Sequence, residues 1–240
     1  MRDFGWPEFV FLVFSVRWTV ILSLLSFGGG GILGLLVVAL RVAPLAALRR
    51  VAVAYIWIMQ GTPVLVQLLI VYYGTSFLGF QPDAWFAAGI AFVLNASAFF
   101  GEIWRGCIEA VPAGQWESAR ALGFRYPATL RLVILPQALR TMVAPTVGFM
   151  VQVVKGTSVA SLIGITELSR TAVMINTVTF EPVKVFGTVA LAYFVICWPL
   201  SLASDRLERR IDRKQAASHR DLLARPRRTL PPGLAVQPGV

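Results

Sequence analysis

Charged residues are scarce in this sequence. Of 240 residues, 14% are Asp, Glu, Lys or Arg and 57% are hydrophobic, whereas an ordinary soluble domain carries about 25% charged residues. A soluble globule with this balance would have too little polar surface to stay dispersed. The apolar residues form runs of about 20, the length at which a helix crosses the roughly 30 Å hydrocarbon core of a bilayer. The composition therefore indicates an integral membrane protein.

Histidine and cysteine are also rare. The single histidine, His219, lies in a polar C-terminal segment, and the two cysteines, Cys107 and Cys197, have neither metal-binding nor redox spacing. A membrane enzyme would need a nucleophile–base pair or a metal cluster near the interface. We therefore predict no catalytic residue, no metal site and no cofactor bound by this chain.

The apolar runs predict five membrane spans. They lie near residues 18–40, 51–73, 84–104, 142–165 and 185–204. Five strands could not close a β-barrel, and unpaired backbone is not tolerated in lipid, so all five spans are expected to be helices. The predicted fold is an all-α integral membrane protein, with residues 1–210 forming the transmembrane domain.

The basic residues predict the orientation of these spans. The net charge is +10, and with the N-terminus outside, seventeen Lys and Arg side chains fall on the inner side and four on the outer side. Because such residues are enriched in cytoplasmic connections, we expect the N-terminus outside and the C-terminus inside. No nucleic-acid partner is expected, since the basic clusters lie between spans. The segment after Arg206 is expected to contact membrane lipid, and residues 211–240 are predicted to be a disordered cytoplasmic tail.

Glycines in the first span match a nucleotide-binding pattern without its context. Gly29, Gly31 and Gly34 satisfy G-x-G-x-x-G, but no strand precedes them, and a dinucleotide site needs a strand–turn–helix unit. Gly30 and Gly34 also form a GxxxG pair, a spacing that allows two membrane helices to approach closely. We expect helix packing here and no nucleotide.

Polar residues inside the spans are candidates for a transport path. Such residues are costly in lipid and usually face a bundle interior or a water-filled path. Interhelical hydrogen bonding explains any one of them alone, whereas polar faces on three spans together favour a shared polar interior. The candidate path residues are Gln67, Asn95, Glu102, Gln152, Lys155 and Ser158.

Residues 114–140 are too polar to span a bilayer and too well patterned to form a loose loop. The pattern predicts a short helix over 115–122 that stops at Gly123, because glycine accepts the left-handed conformation at a helix end. Pro127 favours the start of a second helix, and Pro136 would bend or restart it. The charge asymmetry makes this segment cytoplasmic.

The short helix is expected to present a small apolar face. Trp116, Ala119 and Leu122 fall on one side at helical steps, with Glu117 and Arg120 beside them. The other inner segments are too short to cover this face, which favours a partner protein. The alternative is an amphipathic helix that lies on the lipid headgroups.

Several motifs resemble those of a known family. The stretches GTPVLVQLLIVYYG, from Gly61, and VKGTSVASLIG, from Val154, look like segments of the polar amino-acid branch (the histidine/glutamine type) of ABC-importer permeases. The resemblance extends in order over about residues 10–210. Within it, the spacing of the family's EAA motif is matched by Glu117, Ser118, Ala119, Gly123, Val133, Leu135 and Pro136.

The resemblance implies a permease subunit of an ATP-driven ABC importer in the bacterial inner membrane, translocating polar amino acids or related small solutes. It also implies three kinds of partner: a second permease subunit, identical or sister; two cytoplasmic ABC ATPase subunits that carry ATP and Mg; and an extracytoplasmic solute-binding protein. The segment 114–140 would hold the family's coupling helix. The ATPase-coupling residues would be Glu117, Ser118, Ala119, Arg120, Gly123 and Pro136.

Three interior positions depart from the pattern of the family that the sequence resembles. Gln60 stands where arginine is common, Phe99 where tyrosine is frequent and Gly156 where aspartate is frequent. The coupling segment is well matched while the interior is less typical, so the transported solute stays open.

An alternative function is an ion-gradient-driven secondary carrier or a channel that is not coupled to an ATPase. Such a protein would drive flux from an ion gradient or the membrane potential alone. Secondary carriers usually carry paired internal repeats, and the sequence shows no internal repeat. The importer is the favoured reading.

Overall fold

A computed structural model describes residues 3–224, together with the side chains in that range except those of Leu78 and residues 212–224. Over this part of the chain the structure consists of helices and short connections, with no strand. The predicted all-α fold is confirmed. The helices are α1 (Trp6–Arg41), α2 (Ala46–Gly61), α3 (Val64–Leu69), α4 (Ala84–Glu109), α5 (Ala113–Ala121), α6 (Tyr126–Thr129), α7 (Leu135–Gly156), α8 (Leu168–Thr179) and α9 (Pro182–Ala224).

The structure confirms about five candidate membrane spans. Four are long and apolar enough on their own: α1, α4, the helical run Tyr126–Ile163 that contains α7, and the first part of α9. The fifth is a bent pair, in which α2 and the helical segment Val64–Phe77 meet at an angle of 100°. The second span is therefore interrupted at the Gly-Thr-Pro stretch, between Gly61 and Val64.

The first span begins earlier than predicted. Helix α1 starts at Trp6, with Pro7 in its first turn, where a missing backbone N–H costs nothing. The predicted start near residue 18 left Arg17 outside the span. In the structure the Arg17 guanidinium lies over the rings of Phe14 and Trp18, 3.9 and 4.8 Å from their centroids, so aromatic faces accommodate it.

Helices α1 and α4 pack closely along glycines, as the GxxxG pair predicts. A Cβ atom added to Gly30 would lie 2.6 Å from the Cβ of Ala96, and one added to Gly34 would lie 2.7 Å from the Cβ of Phe100. From the other side, a Cβ on Gly101 would lie 2.4 Å from Val37 Cγ1. The missing side chains let the two backbones approach, which confirms the packing role of these glycines.

Helix α8 was not predicted from the sequence. Helix α8 is too short to span, and its first turn is capped by Glu167, which accepts a hydrogen bond from the backbone N–H of Arg170 at 2.9 Å. The fully buried Glu167 carboxylate also accepts bonds from Thr19 of α1 (3.4 Å) and Tyr193 of α9 (3.3 Å). Burial raises the pKa of the Glu167 carboxyl. This side chain ties three helices together.

The end of the chain differs in part from the predicted disordered tail. Residues 211–224 continue helix α9, which ends at Ala224. Most residues of that segment are strong helix formers, and this extends α9 beyond its apolar stretch. Residues 225–240, the rest of the predicted tail, lie outside the described residues. His219 lies on the last part of α9.

The packing of α1 against α4 predicts different outcomes at neighbouring glycines. Gly30→Ala should lower the thermal unfolding temperature of the purified protein, because the clash with Ala96 exceeds the helix-propensity gain of about 1 kcal/mol. Gly31→Ala is the matched control, since nothing lies within 4 Å of its added Cβ, and it should leave that temperature unchanged or raise it. Equal melting temperatures for the two variants would contradict the close packing.

Candidate functional site: an exposed elbow and a central cavity

The segment between α4 and α7 forms a bent elbow, which we define as residues 113–136. Its first arm is α5, which ends at Ala121. Gly123 follows in the left-handed region with φ of +81°, as predicted for a glycine that stops this helix. The backbone N–H of Gly123 donates to the Arg120 carbonyl at 2.9 Å, and that of Phe124 donates to the Ala119 carbonyl at 3.1 Å. These two bonds satisfy carbonyls that the helix end would otherwise leave free.

The second arm of the elbow also follows the predicted prolines. Pro127 lies in the first turn of α6, and Pro136 lies in the first turn of α7. Between them Leu130–Ile134 form a wide π-helical turn. A proline lacks a backbone N–H, and its ring clashes with the carbonyl four residues earlier, which accounts for a widened turn directly before Pro136.

The elbow is fastened to the bundle at two points, and a ring stack holds its two arms together. Gln137 of α7 donates to the Gln115 side chain at 3.2 Å, and the rings of Trp116 and Tyr126 stack with centroids 6.0 Å apart. The Tyr126 hydroxyl donates to the backbone carbonyl of Val42, just after α1. These contacts join α5 to α7, and α6 to the end of α1.

The predicted apolar face of α5 points the other way. Ala119 is 2% exposed, and Trp116 packs against the cluster around Ile134 and Ala138, so both face the bundle. Leu122 is 77% exposed and belongs to the outer surface. The spacing predicted one apolar face for a partner protein, but Trp116 and Ala119 of that face instead pack α5 against the bundle.

The six predicted coupling residues accordingly divide into two groups. Ala119 is buried and holds α5 against the bundle, so it is not available to a partner's side chains. The other five are exposed on the outer side of the elbow: Glu117, Ser118, Arg120, Gly123 and Pro136. With Leu122 they form an open surface at one end of the molecule.

A cavity of about 430 Å³ lies between α1, α3, α4 and α7. Its polar groups come from Ser26, Asn95 and Gln152, and no Asp, Glu, Lys, Arg or His is among the described residues that line it. Its aromatic wall includes Phe99 and Phe149, whose rings stack with centroids 5.0 Å apart. The remaining lining residues are Val64, Phe92, Ala96, Val153 and Gly156.

Two of the predicted path residues stabilise the break in the second span. The Gln67 amide donates to the carbonyls of Met59 (2.7 Å) and Thr62 (3.0 Å). The Asn95 amide donates to the same Met59 carbonyl (3.3 Å) and to the Gln67 side-chain oxygen (3.2 Å). Gln67 therefore has the role that the sequence left open as an alternative, hydrogen bonding between helices. Asn95 has two roles, because it both stabilises the break and lines the cavity.

Of the four other predicted path residues, Gln152 lines this cavity, and Glu102, Lys155 and Ser158 do not. Glu102 lies at the elbow end of α4, where Arg105 Nε donates to its carboxylate at 3.0 Å and Arg41 Nε is 3.8 Å away. Lys155 is exposed beside α9, and the Ser158 hydroxyl donates to the Lys155 carbonyl at 2.8 Å. The three polar faces thus do not form one shared lining within this chain.

Sequence reasoning missed several lining residues of the cavity. Phe99 and Gly156 carry no polar side-chain group and were not selected as path residues, although both had been noted as departures from the pattern of a known family. Ser26 was not selected either, and in the structure its hydroxyl donates to the Leu22 carbonyl of its own helix at 2.6 Å. A stronger signal was the spacing of Phe99 from Asn95, which puts both on one face of α4.

The family of this chain follows from comparison with known proteins. Residues 30–216 match the family described as "binding-protein-dependent transport system inner membrane component". The chain belongs to this family. It is a permease subunit of the ABC importers, and the elbow contains the EAA-type segment by which the sequence already resembled them. The secondary-carrier alternative gains no support from the relatives or the structural neighbours.

Relatives of this permease cover most of its length. It is 35% identical over 203 residues to the probable amino-acid ABC transporter permease protein YckA of Bacillus subtilis (strain 168), a match covering 85% of this chain and 90% of YckA. It is 38% identical over 209 residues to the L-cystine transport system permease protein TcyB of the same organism, covering 87% and 88%. A crystal structure of an amino acid ABC transporter with histidines superposes with a TM-score of 0.79 at 32% identity, covering 83% of this chain and 94% of that one.

Gln67 and Gln152 of this permease are predicted to respond differently to the same substitution. Gln67→Met should lower the thermal unfolding temperature, because freeing buried carbonyls costs about 1–3 kcal/mol. Gln152→Met, at an exposed position on the cavity wall, should leave that temperature unchanged. Differential scanning fluorimetry in detergent measures both, and an unchanged melting temperature for Gln67→Met would show that the amide does not stabilise the break.

Proposed function

We propose that this permease subunit serves an ATP-driven importer of polar amino acids or related small solutes. The observation that carries the proposal is the exposed elbow, a bent and well-fastened structure whose outer surface is left uncovered by the described chain. The names of YckA and TcyB, which refer to amino-acid and L-cystine transport, support the substrate class. Glu117, Ser118, Arg120, Gly123 and Pro136 are the proposed contacts for the ATPase.

In the proposed assembly this chain has four kinds of partner. Two ABC ATPase subunits would bind ATP and Mg, one of them on this elbow, and a second permease subunit, identical or sister, would complete the path. An extracytoplasmic solute-binding protein would deliver the solute, and lipid would surround the spans. The proposed location is the bacterial inner membrane.

The orientation proposed for this assembly places the elbow in the cytoplasm. The N-terminus would lie outside and the C-terminus inside, which puts Arg41, Arg49 and Arg50 on the same inner side as the elbow. In the structure these residues and the elbow do share one end of the bundle, because Tyr126 bonds to Val42 beside Arg41. The positive residues of short connections are concentrated on the cytoplasmic side of membrane proteins, which supports this orientation.

The proposed mechanism is mechanical and needs no covalent step in this chain. Closure of the ATPases on ATP would move α5, and the contacts of Gln115, Trp116 and Tyr126 would pass that movement to α7 and α1. Because α1 is packed tightly on α4, the spans would rock as units and open the central cavity alternately to each side. A solute would bias this equilibrium only through its different affinity for the two states.

The cavity favours solutes whose side chains carry no net charge. Its lining offers an amide from Asn95, an amide from Gln152 and a hydroxyl from Ser26, but no ionised group among the described lining residues. A charged group that leaves water without a partner is strongly disfavoured. Among amino-acid solutes, those with neutral polar side chains therefore match the part of the path that this chain would line.

The coupling role is tested at Gly123. Gly123→Asp should leave the permease inserted and folded, because Asp tolerates left-handed backbone better than most residues, yet it should reduce co-purification of the ATPase about tenfold or more through an unpaired charge at the contact. Gly79→Asp is the matched control, with φ of +77° and open space around its Cβ, at the opposite end of the bundle. Undiminished ATPase binding by Gly123→Asp would overturn the proposed contact.

The substrate class is tested by reconstituting the permease with its ATPase and solute-binding protein in liposomes. Neutral polar amino acids should stimulate ATP hydrolysis more strongly than arginine, lysine, aspartate or glutamate. Gln152→Met should change the stimulation while leaving the assembly and the unstimulated ATPase rate intact. Stimulation by charged amino acids alone would contradict the proposed class.

A further inference from the structure

A second groove lies outside the cavity and the elbow, at the connection between α1 and α2. It has a volume of about 490 Å³, and three of its lining residues are arginines. The lining consists of Arg41, Ala46, Arg49, Arg50, Val53, Ala54 and Trp57. Neither the translocation path nor the coupling contact uses these residues.

The groove has a polar end and an apolar end. On α2, the positions 46, 50, 53, 54 and 57 follow the three- and four-residue steps of one helix face, so they form a single stripe along the axis. Arg50 lies at the membrane edge of this stripe, and Trp57 lies seven residues, about 10 Å, further along the helix. The opposite face of α2 is packed on α4, where Tyr55 donates to the Leu94 carbonyl at 2.8 Å.

The arginines of the groove are incompletely neutralised. Arg41 is 3.8 Å from Glu102, but that carboxylate already accepts hydrogen bonds from Arg105. Arg49 uses one terminal nitrogen, Nη1, to donate to the carbonyls of Ala43 (3.2 Å) and Pro44 (3.3 Å), which fixes it at the mouth of the groove. Arg50 makes no hydrogen bond or ion pair with any other described residue, and it is exposed.

The backbone adds to the positive character of this end. Helix α2 begins after Leu45, whose side chain cannot cap it, and its first turn contains no acidic residue. Four backbone N–H groups at a helix start lack partners within the helix and favour an anion. Ala46 of this first turn lines the groove together with Arg41, Arg49 and Arg50.

We propose that this groove binds an anionic phospholipid, with the headgroup phosphate on Arg49, Arg50 and Arg41 and an acyl chain along Val53, Ala54 and Trp57. Guanidinium groups bind phosphate through paired hydrogen bonds, which matches the donor end. The apolar end matches a lipid chain and would be of no use to a free phosphate ion. Tryptophan is typical of such an interface, and Trp57 is 74% exposed.

The position of the groove links the lipid to the elbow. Arg49 lies close enough to Tyr126 to interact with it electrostatically, and the Tyr126 hydroxyl bonds to Val42 within the same connection. A phosphate on Arg49 and Arg50 would hold the α1–α2 connection against the elbow. Lipid binding here is independent of which solute the protein transports.

The test uses the full-length protein purified in detergent, titrated with phosphatidylglycerol and followed by native mass spectrometry. Arg50→Gln should weaken phosphatidylglycerol binding about fivefold, as expected for the loss of one arginine near an anionic headgroup, without affecting folding because Arg50 holds no internal contact. Arg170→Gln, which removes the same charge from an exposed position on α8, should leave binding within about twofold of the parent. Equal effects of the two substitutions would overturn the site.

Two further measurements separate the possible occupants. Inorganic phosphate should not displace phosphatidylglycerol; displacement would identify a site for free anions and overturn the proposal. Phosphatidylcholine should bind more weakly than phosphatidylglycerol, and equal binding of the two lipids would show that headgroup charge plays no role. A photoreactive amino acid at Ala54 should cross-link phospholipid in native membranes. Cross-linking to another protein subunit at that position would show that a protein covers the groove and would overturn the proposal.

Discussion

The structure depends on how the chain satisfies its backbone where a helix is interrupted. A carbonyl freed inside lipid has no water to accept from, and it must find a donor in the protein. At the break after Gly61, the amides of Gln67 and Asn95 supply that donor to Met59 and Thr62. The second span can therefore turn by 100°, and this turn brings Val64 to the wall of the central cavity.

The same constraint explains why the elbow is built differently. Outside the apolar region water can satisfy exposed carbonyls, and the chain uses a left-handed glycine and two prolines instead of buried amides. Gly123 ends α5 by bonding back to Arg120, and Pro136 restarts the helix that becomes α7. A short, exposed arm is thereby joined rigidly to a spanning helix. Helices α1 and α4 pack along their glycines, and in the proposed mechanism they would move as one unit and carry motion from the elbow to the cavity.

Local features of the chain could be predicted from the sequence, and contacts between distant segments could not. Apolar runs gave the spans, the spacing of Gly30 and Gly34 gave their packing role, and Gly123 and Pro127 gave the ends of short helices, because each depends on nearby residues. The direction in which Ala119 faces depends on what packs below it. Gln152 and Lys155 are three residues apart on one helix, but only the neighbouring helices decide that Gln152 lines the cavity while Lys155 lies exposed beside α9. Glu167 was missed because its partners, Thr19 and Tyr193, are far away in sequence.

The central claim is that the elbow lies in the cytoplasm and contacts an ATPase there. It is tested most directly at Leu122, which is 77% exposed on the outer side of the elbow. A cysteine placed there should react with a membrane-impermeant thiol reagent in inside-out vesicles stripped of ATPase, should be protected when the ATPase is added back, and should not react in intact cells. The parent protein, with half-buried Cys107 and buried Cys197, gives the background. Labelling of Leu122→Cys from outside intact cells would place the elbow on the wrong side of the membrane and contradict the account.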